Sequence, residues 1–400
     1  MQVMNIRISC LLALTAALGM PLTMNGRTLT QHAAVDTIIA NNMRLQSLRT
    51  RQQADFMQSI SEATSLEGPE IEGEYLWGPE SANKWNVGVT QKFDWPGSYS
   101  RRAKAVRQQA KAWEYLYAAE CLSVRRQAKE YLAQLVYARQ QIGLLEGVLG
   151  NLQKLSEYIK EGYEGGQMTI LDVKKINLEL YNTRAELANV RQDENNALAA
   201  LTALNNNMPV SVDASAYGAE PLLDLDTYLM YARDCNPEVN SLTQQSAADR
   251  IQAEALRSSA LPQLSVGYRH AYEEETHFNG LAVGISLPFW SRGKAVKAAA
   301  LSAQASNFQA IAAASEAQAS IAAEYENATK RSQQLASLDA VTLDENYPSL
   351  LQMAYKGGQI NVLTYMQELN YYLTARKERL AAEYSLRLSL IALNRYNPAE

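Results

Sequence analysis

Few residues in this chain could do chemistry. It holds 3 histidines and 3 cysteines in 400 residues. The only group that looks like metal ligands is His270, Glu273, Glu274, Glu275 and His277. Three adjacent glutamates cannot all aim at one ion, so a charged surface loop explains the group better, and no metal or other cofactor is expected. Cys121 and Cys235 lack the paired spacing of a zinc site and are too few for a disulfide framework. There is no nucleophile–base pair at motif spacing and no phosphate-cradling glycine loop, which argues against an enzyme. A net charge of -5 argues against a nucleic-acid partner.

The elements that would position any site are more informative. Arg7 precedes an apolar run from Ile8 to Leu18, followed by Gly19 and Pro21, the pattern of a secretory signal peptide over about residues 1–24. That run is shorter than the ~20 residues a membrane helix needs, and Cys10 lies too early in it to be a lipidated cysteine. The rest of the chain repeats itself. Tyr163-Glu164-Gly165-Gly166-Gln167 recurs as Tyr355-Lys356-Gly357-Gly358-Gln359, an offset of 192 (355 minus 163). Val87-Gly88-Val89 recurs as Val283-Gly284-Ile285 at 196, and Asn42-Met43-Arg44-Leu45 as Asn236-Pro237-Glu238-Val239 at 194. These matches predict two tandem structural repeats, 25–208 and 224–396, joined by a Pro-, Gly- and Asn-rich connection over 209–223.

Each repeat reads helix, strand, turn, strand, long helix, Gly-Gly break, helix. A first helix is predicted from Thr28 to Ser65, with Thr28 or Thr30 as its cap. Hairpins follow at 69–96 and 262–290. In the first, Trp85, Val87, Val89, Phe93 and Trp95 alternate with Asn86, Gly88, Thr90, Lys92 and Asp94, and Ile71, Tyr75 and Trp77 with Glu70, Glu72 and Glu74. That is a strand with one apolar and one polar face. A soluble hairpin against a core has the same period. Here, however, Trp77, Trp85, Trp95 and Trp290 cluster near strand ends, as in the aromatic girdles of membrane barrels. Four strands cannot close a barrel whose smallest form has about eight, so an oligomer is implied; a trimer supplies twelve. Long helices are predicted at 98–162 and 293–356, returning at 167–204 and 359–394, with Pro348 kinking the second. Their apolar residues fall seven apart, as in Leu135, Ile142 and Leu149, in Leu145, Leu152 and Ile159, and in Ile176, Thr183 and Val190, which is a coiled-coil seam.

The duplicated Tyr-x-Gly-Gly-Gln turns, the segment Leu171-Asp172-Val173, the Val-Gly-Val strands and Asn236-Pro237-Glu238-Val239 resemble the TolC-like outer-membrane efflux proteins. The resemblance runs from about Thr28 to Asn394. It implies a mainly α fold with a small β membrane part: a trimeric twelve-stranded barrel in the bacterial outer membrane, continuing into a long α-helical barrel across the periplasm. It also implies the role of passive exit duct of a tripartite pump, with a periplasmic adaptor and an inner-membrane transporter, of the proton-driven kind, as partners beside outer-membrane lipid. On that pattern Gly165, Gly166, Gln167, Thr169, Gly357, Gly358, Gln359 and Asn361 form the periplasmic tip and adaptor contact, unless they are only turn residues. Asp172 is a candidate lumen gate or, alternatively, a helix-start aspartate; Glu157, Glu161 and Glu164 could equally supply the charge. Cys121 and Cys235 fall at equal helical depth, roughly ~35–39 Å from the membrane end, so they are either a bridge or two buried thiols. Two other functions fit parts of the pattern. A periplasmic coiled-coil scaffold would use the helices but not the amphipathic hairpins, and an ATP-driven protein secretion system would use the same duct.

Overall fold

The computed structural model describes residues 29–77, 83–95, 97–218, 220–259, 261–273, 276–286, 293–341 and 346–398. The expected signal peptide, Trp290, Glu274 and Glu275 lie outside them. Helices α1 (Gln31–Asn41) and α2 (Met43–Thr64) lead into strands β1 (Glu70–Trp77) and β2 (Asn83–Phe93). Two long helices follow, α3 (Ser98–Glu164) and α4 (Ile170–Leu204). The order then recurs as α5 (Leu225–Asp234), α6 (Pro237–Ser259), β3 (Gln263–Glu273), β4 (Thr276–Ser286), α7 (Gly293–Val341), α8 (Tyr347–Lys356) and α9 (Val362–Leu393). Among the described residues no helix is long and apolar enough to cross a membrane.

Two sequence expectations are corrected here. The helix expected over 28–65 is two helices, because Asn42 turns extended (φ -68°, ψ 110°) between them. Its Oδ1 accepts from Leu45 N at 3.1 Å and its Nδ2 donates to Leu204 O at 3.0 Å, so one side chain caps α2 and anchors it to the end of α4. Asn236 plays the capping part ahead of α6, accepting from Glu238 N at 3.0 Å and Val239 N at 3.4 Å. The recurring Asn motif is thus a recurring cap. The single helix expected over 293–356 is also two, α7 and α8. Pro348 lies in the first turn of α8, where its missing N–H is no loss, so the residue expected to kink a helix instead starts one. Of the two suggested caps for α1, Thr30 accepts from Ala33 N, while Thr28 lies outside the described residues.

The chain divides into two compact units, one of Met1–Leu45, Glu120–Cys235 and Ala317–Glu400, the other of Gln46–Ala119 and Asn236–Glu316. In the first, the seven-residue rows turn inward. Leu145, Leu152, Ile159, Ile176, Thr183, Val190, Leu187 and Leu201 are all buried, and Ile142 and Leu149 partly so. Leu152, Leu155 and Ile159 of α3 pack with Ile176 of α4 and with Tyr365, Leu369 and Tyr372 of α9 in one cluster. The connection over 209–223 runs irregularly through this unit. It is tied down by a parallel bridge between Leu29 and Val212, and by the little-exposed ion pair of Arg387 with Glu220 at 2.7 Å.

The second unit has smaller interior side chains. Ala103, Ala105 and Ala112 of α3 are buried, as are Ala248, Ala253 and Ala255 of α6. Polar bonds supplement them: Gln108 Nε2 donates to Gln244 Oε1 at 2.5 Å, and Ser241 Oγ to Ala112 O at 2.8 Å. Its four strands form one antiparallel sheet in the order β1-β2-β3-β4.

Cys121 is buried in α3, and Cys235 is the C-cap of α5, where its N–H bonds Tyr231 O; no disulfide joins them. Equal depth along parallel rods sets only one coordinate of the two positions, and the lateral separation is independent of it. The bridge allowed by the sequence is therefore not formed.

Leu155 is fully buried in the larger cluster. Leu155→Ala is expected to lower stability by about 2–5 kcal/mol, seen as a lower urea midpoint at unchanged slope.

Candidate functional site

Two features set this molecule apart from an ordinary helical protein. The first is the sheet. Its register places Ile71 against Val89, Tyr75 against Trp85, Val89 against Tyr268, and Tyr268 against Leu281. Because side chains alternate along a strand, these residues share one face with Trp77, Val87, Val266, Val283 and Ile285. That face is mainly apolar, with Gln91, His270, His277 and Asn279 as its described polar members, and much of it is uncovered: Trp77 is 84% exposed, Leu281 83%, Val283 77% and Ile71 75%.

The opposite face carries charge. Lys84 pairs with Glu273 at 2.5 Å, Lys92 with Glu70 at 2.5 Å and Arg269 with Glu72 at 3.8 Å, while Asn86 Nδ2 donates to Glu74 at 2.7 Å. Glu72 and Arg269 both lie opposite Gly88, so they meet across a strand that offers no side chain between them. Gly267 on this face is needed for close approach, since a Cβ there would come within 2.7 Å of both Val89 O and Thr90 Oγ1. Small residues at Gly88, Gly267, Ala271, Gly280, Ala282 and Gly284 make the polar face the tighter one, and Leu76 and Phe278, both near the hairpin turns, are its large apolar exceptions among the described residues.

Trp77 and Trp85 lie toward the hairpin-turn end of the sheet and Trp95 just ahead of α3. Trp85 is only partly exposed, stacking on Tyr272 at 5.9 Å. Among the described residues no three His, Cys, Asp or Glu side chains come together as a metal-binding group; Glu274 and Glu275 of the ligand-like cluster lie outside those residues.

The second feature is the pair of glycine turns, both in the first unit. Only the second glycine of each pair is left-handed, Gly166 at φ 77° and Gly358 at φ 70°. A Cβ on either would meet nothing within 4 Å, so glycine is required there for its backbone and not for room. Gln167 N returns to Gly162 O at 2.8 Å and Gln359 N to Ala354 O at 2.9 Å, the same closure in both turns. The next helices start alike. Thr169 and Asp172 form a reciprocal capping box, Asp172 Oδ2 accepting from Thr169 N at 3.0 Å and from Thr169 Oγ1 at 2.7 Å. Asn361 Oδ1 accepts from Thr364 N at 2.9 Å. Gly165, Gly166, Gln167, Thr169, Gly357, Gly358, Gln359 and Asn361 are all exposed, and Asp172 is half-buried.

Sequence reasoning missed what holds the two turns together. Tyr355 Oη reaches Met168 Sδ at 3.5 Å, and its ring contacts Tyr158 and Tyr365, each at 6.0 Å. Gly162 admits Met168, whose Cγ a Cβ there would approach to 2.7 Å. The matched tyrosines part company: Tyr163 is 44% exposed and Tyr355 only 6%. Nothing in two copies of one motif signals that difference.

Residues 34–207 match the family model described as outer membrane efflux protein. By sequence that match covers the first repeat, and over the chain as a whole the likeness to outer-membrane channels is one of fold. Its fold is similar to that of the outer-membrane channel OprN, at TM-score 0.73 and 15% identity, over 92% of this chain and 89% of that one. CusC, whose structures concern folding and transmembrane channel formation, aligns at 0.70 and 15% over 94% and 97%. The Campylobacter jejuni CmeC outer membrane channel aligns at 0.68 and 16% over 94% and 90%. No curated protein matches the sequence significantly.

Burial, then the Asp172 carboxylate, pushes the Tyr355 hydroxyl up to about 12, and burial alone takes Tyr365 up to about 12. Both exceed an ordinary phenol near ~10, so the folded state holds these protons more tightly. The stability they contribute is whole below pH ~10 and lost as pH rises through ~12. The Tyr365 hydroxyl is buried with no hydrogen-bond partner among the described residues. Tyr365→Phe is therefore expected to be neutral or stabilising at pH ~8 and to flatten the loss between pH ~10 and ~12, read from urea midpoints across that range.

Proposed function

We propose that three copies of this chain close a twelve-stranded barrel in the outer membrane and form the passive exit duct of a tripartite efflux pump. The observation that carries this is the sheet. Its order leaves β1 and β4 with one unpaired edge each, one face apolar and bare, the other ion-paired. In hydrocarbon no water satisfies an open edge, so such a sheet must close, and four strands are half the smallest barrel of about eight. A ring of three copies pairs every edge and turns the charged face to a water-filled lumen. Trp77, Trp85, Trp95 and Trp290 are the proposed girdle.

The helices support the same assembly. Leu171 and Leu178 on α4, seven apart, are 63% and 61% exposed, and Leu301 and Phe308 on α7, also seven apart, are 56% and 68% exposed. Rows of that spacing suit a neighbouring copy's helices. The two repeats, 25–208 and 224–396 about the connection 209–223, would then alternate around the ring. The exposed glycine turns with Gln167, Thr169, Gln359 and Asn361 form the tip that meets a periplasmic adaptor, which links the duct to an inner-membrane, proton-driven transporter. Asp172, near the tip and single in the chain because Thr364 stands at its matching place, is the proposed gate charge: three copies around one axis would favour cations.

The oligomeric mass and single-channel conductance of detergent-extracted protein in a planar bilayer test this reading. A trimer with small, cation-preferring openings is expected; a protein that stays soluble, or inserts without conducting, would sink the barrel and leave a periplasmic scaffold. Asp172→Asn keeps an acceptor for Thr169 and removes the charge, so it should reduce cation preference while leaving the fold intact. Thr169→Ala, which removes the cap but keeps the charge, should cost about 1 kcal/mol of stability and leave ion preference as it was.

A further inference from the structure

Near the turn of the second hairpin, β3 and β4 bring two imidazoles together. The register sets His270 opposite Asn279 and Tyr272 opposite His277. His270 and His277 are therefore diagonal neighbours on one face, with rings stacked at 5.3 Å and an interplanar angle of 19°. His277 Nδ1 lies 3.3 Å from His270 Nε2.

We propose that His270 and His277 form a binding site for a divalent transition-metal ion, of the zinc, copper or nickel class that imidazole suits. The separation is the first ground. Two nitrogens bound at 2.0–2.1 Å in a tetrahedral arrangement stand about 3.3 Å apart, the distance already found between these two, so a turn of each ring, with neither strand moving, brings both lone pairs onto one ion. The tautomer is the second. His270 Nδ1 lies 2.7 Å from Asn279 Oδ1, a carboxamide oxygen that can only accept. The proton of neutral His270 is therefore on Nδ1, and the Nε2 lone pair points at His277. Tyr268 Oη donates to the same Asn279 oxygen at 2.5 Å, which fixes the carboxamide in turn. A ligand histidine whose other nitrogen is held by a second group is the usual construction of a metal site. In the metal-free pair, His277 Nδ1–H fills the gap between the nitrogens. On binding that proton moves to Nε2 of the same ring, which leaves both histidines neutral.

The carboxylate nearest in sequence does not take part: Glu273 is on the opposite face, held by Lys84 at 2.5 Å. The protein supplies two ligands and water the rest, so the ion is exchangeable. The pair shares its face with Leu281 and Val283 and not with the ion pairs of Glu70, Glu72 and Arg269. A metal held there is outside the charged face and clamps β3 to β4; it is not cargo of the duct. The site stands on the hairpin alone and does not depend on the trimer.

The test titrates the detergent-solubilised full chain with NiCl2 by calorimetry and records the Cu2+ complex by electron paramagnetic resonance. One site per chain is expected, with nitrogen hyperfine structure from two imidazoles in the native protein itself. His270→Ala and His277→Ala should each weaken Ni2+ binding at least tenfold, and Asn279→Leu by roughly 10–100-fold, while His32→Ala changes nothing. A native spectrum without paired nitrogen ligation, or a titration that both histidine variants leave intact, would overturn the proposal.

Discussion

A backbone group inside hydrocarbon has no water to bond, and in the proposed assembly that constraint organises the rest of the protein. One chain provides four strands and therefore two open edges. In the proposed barrel the apolar face, with Leu281, Val283 and Ile71 almost bare, lies against lipid, while its reverse is stitched by lysine–glutamate and arginine–glutamate pairs. These pairs are exposed, and each adds little to stability. Their contribution is to keep charge on one side of a sheet whose other side excludes it. In the proposed trimer, closure resolves edge and face together.

The helices answer a different requirement. A helix of 67 residues such as α3 cannot hide in a globular core, so its stability must come from seams along its length. Large side chains fill the seam in the first unit, from Leu145 through Ile159. In the second, alanines and glutamine–glutamine bonds take their place, and those helices pack through small side chains. At two helix starts a specific group is in place: Asn42 caps α2, and Pro348 lies in the first turn of α8.

The turns show how far duplication carries. Both copies keep the left-handed second glycine, the returning hydrogen bond and a capped helix start, because the backbone reversal demands them. They differ in what surrounds them. Tyr355 is buried between Met168, Tyr158 and Tyr365, whereas Tyr163 faces outward, and the capping carboxylate of Asp172 is replaced by the Thr364 hydroxyl. Identical local rules thus yield an asymmetric tip.

Whatever depends on local periodicity and turn chemistry was legible in the sequence: period-two strands at 69–96 and 262–290, seven-residue rows in the long helices, and glycine at the two reversals. So was the family resemblance. Whatever depends on which distant residues meet was not. The break at Asn42 is stabilised by Leu204, 162 positions away. Cys121 and Cys235 count to one helical depth along the sequence yet form no bridge, because depth is one coordinate of three. His270 and His277 read as part of a charged loop until the β3–β4 register set one opposite Asn279 and the other opposite Tyr272. Spacing along the chain determines the face a residue takes; only the packed strands and helices decide its neighbour.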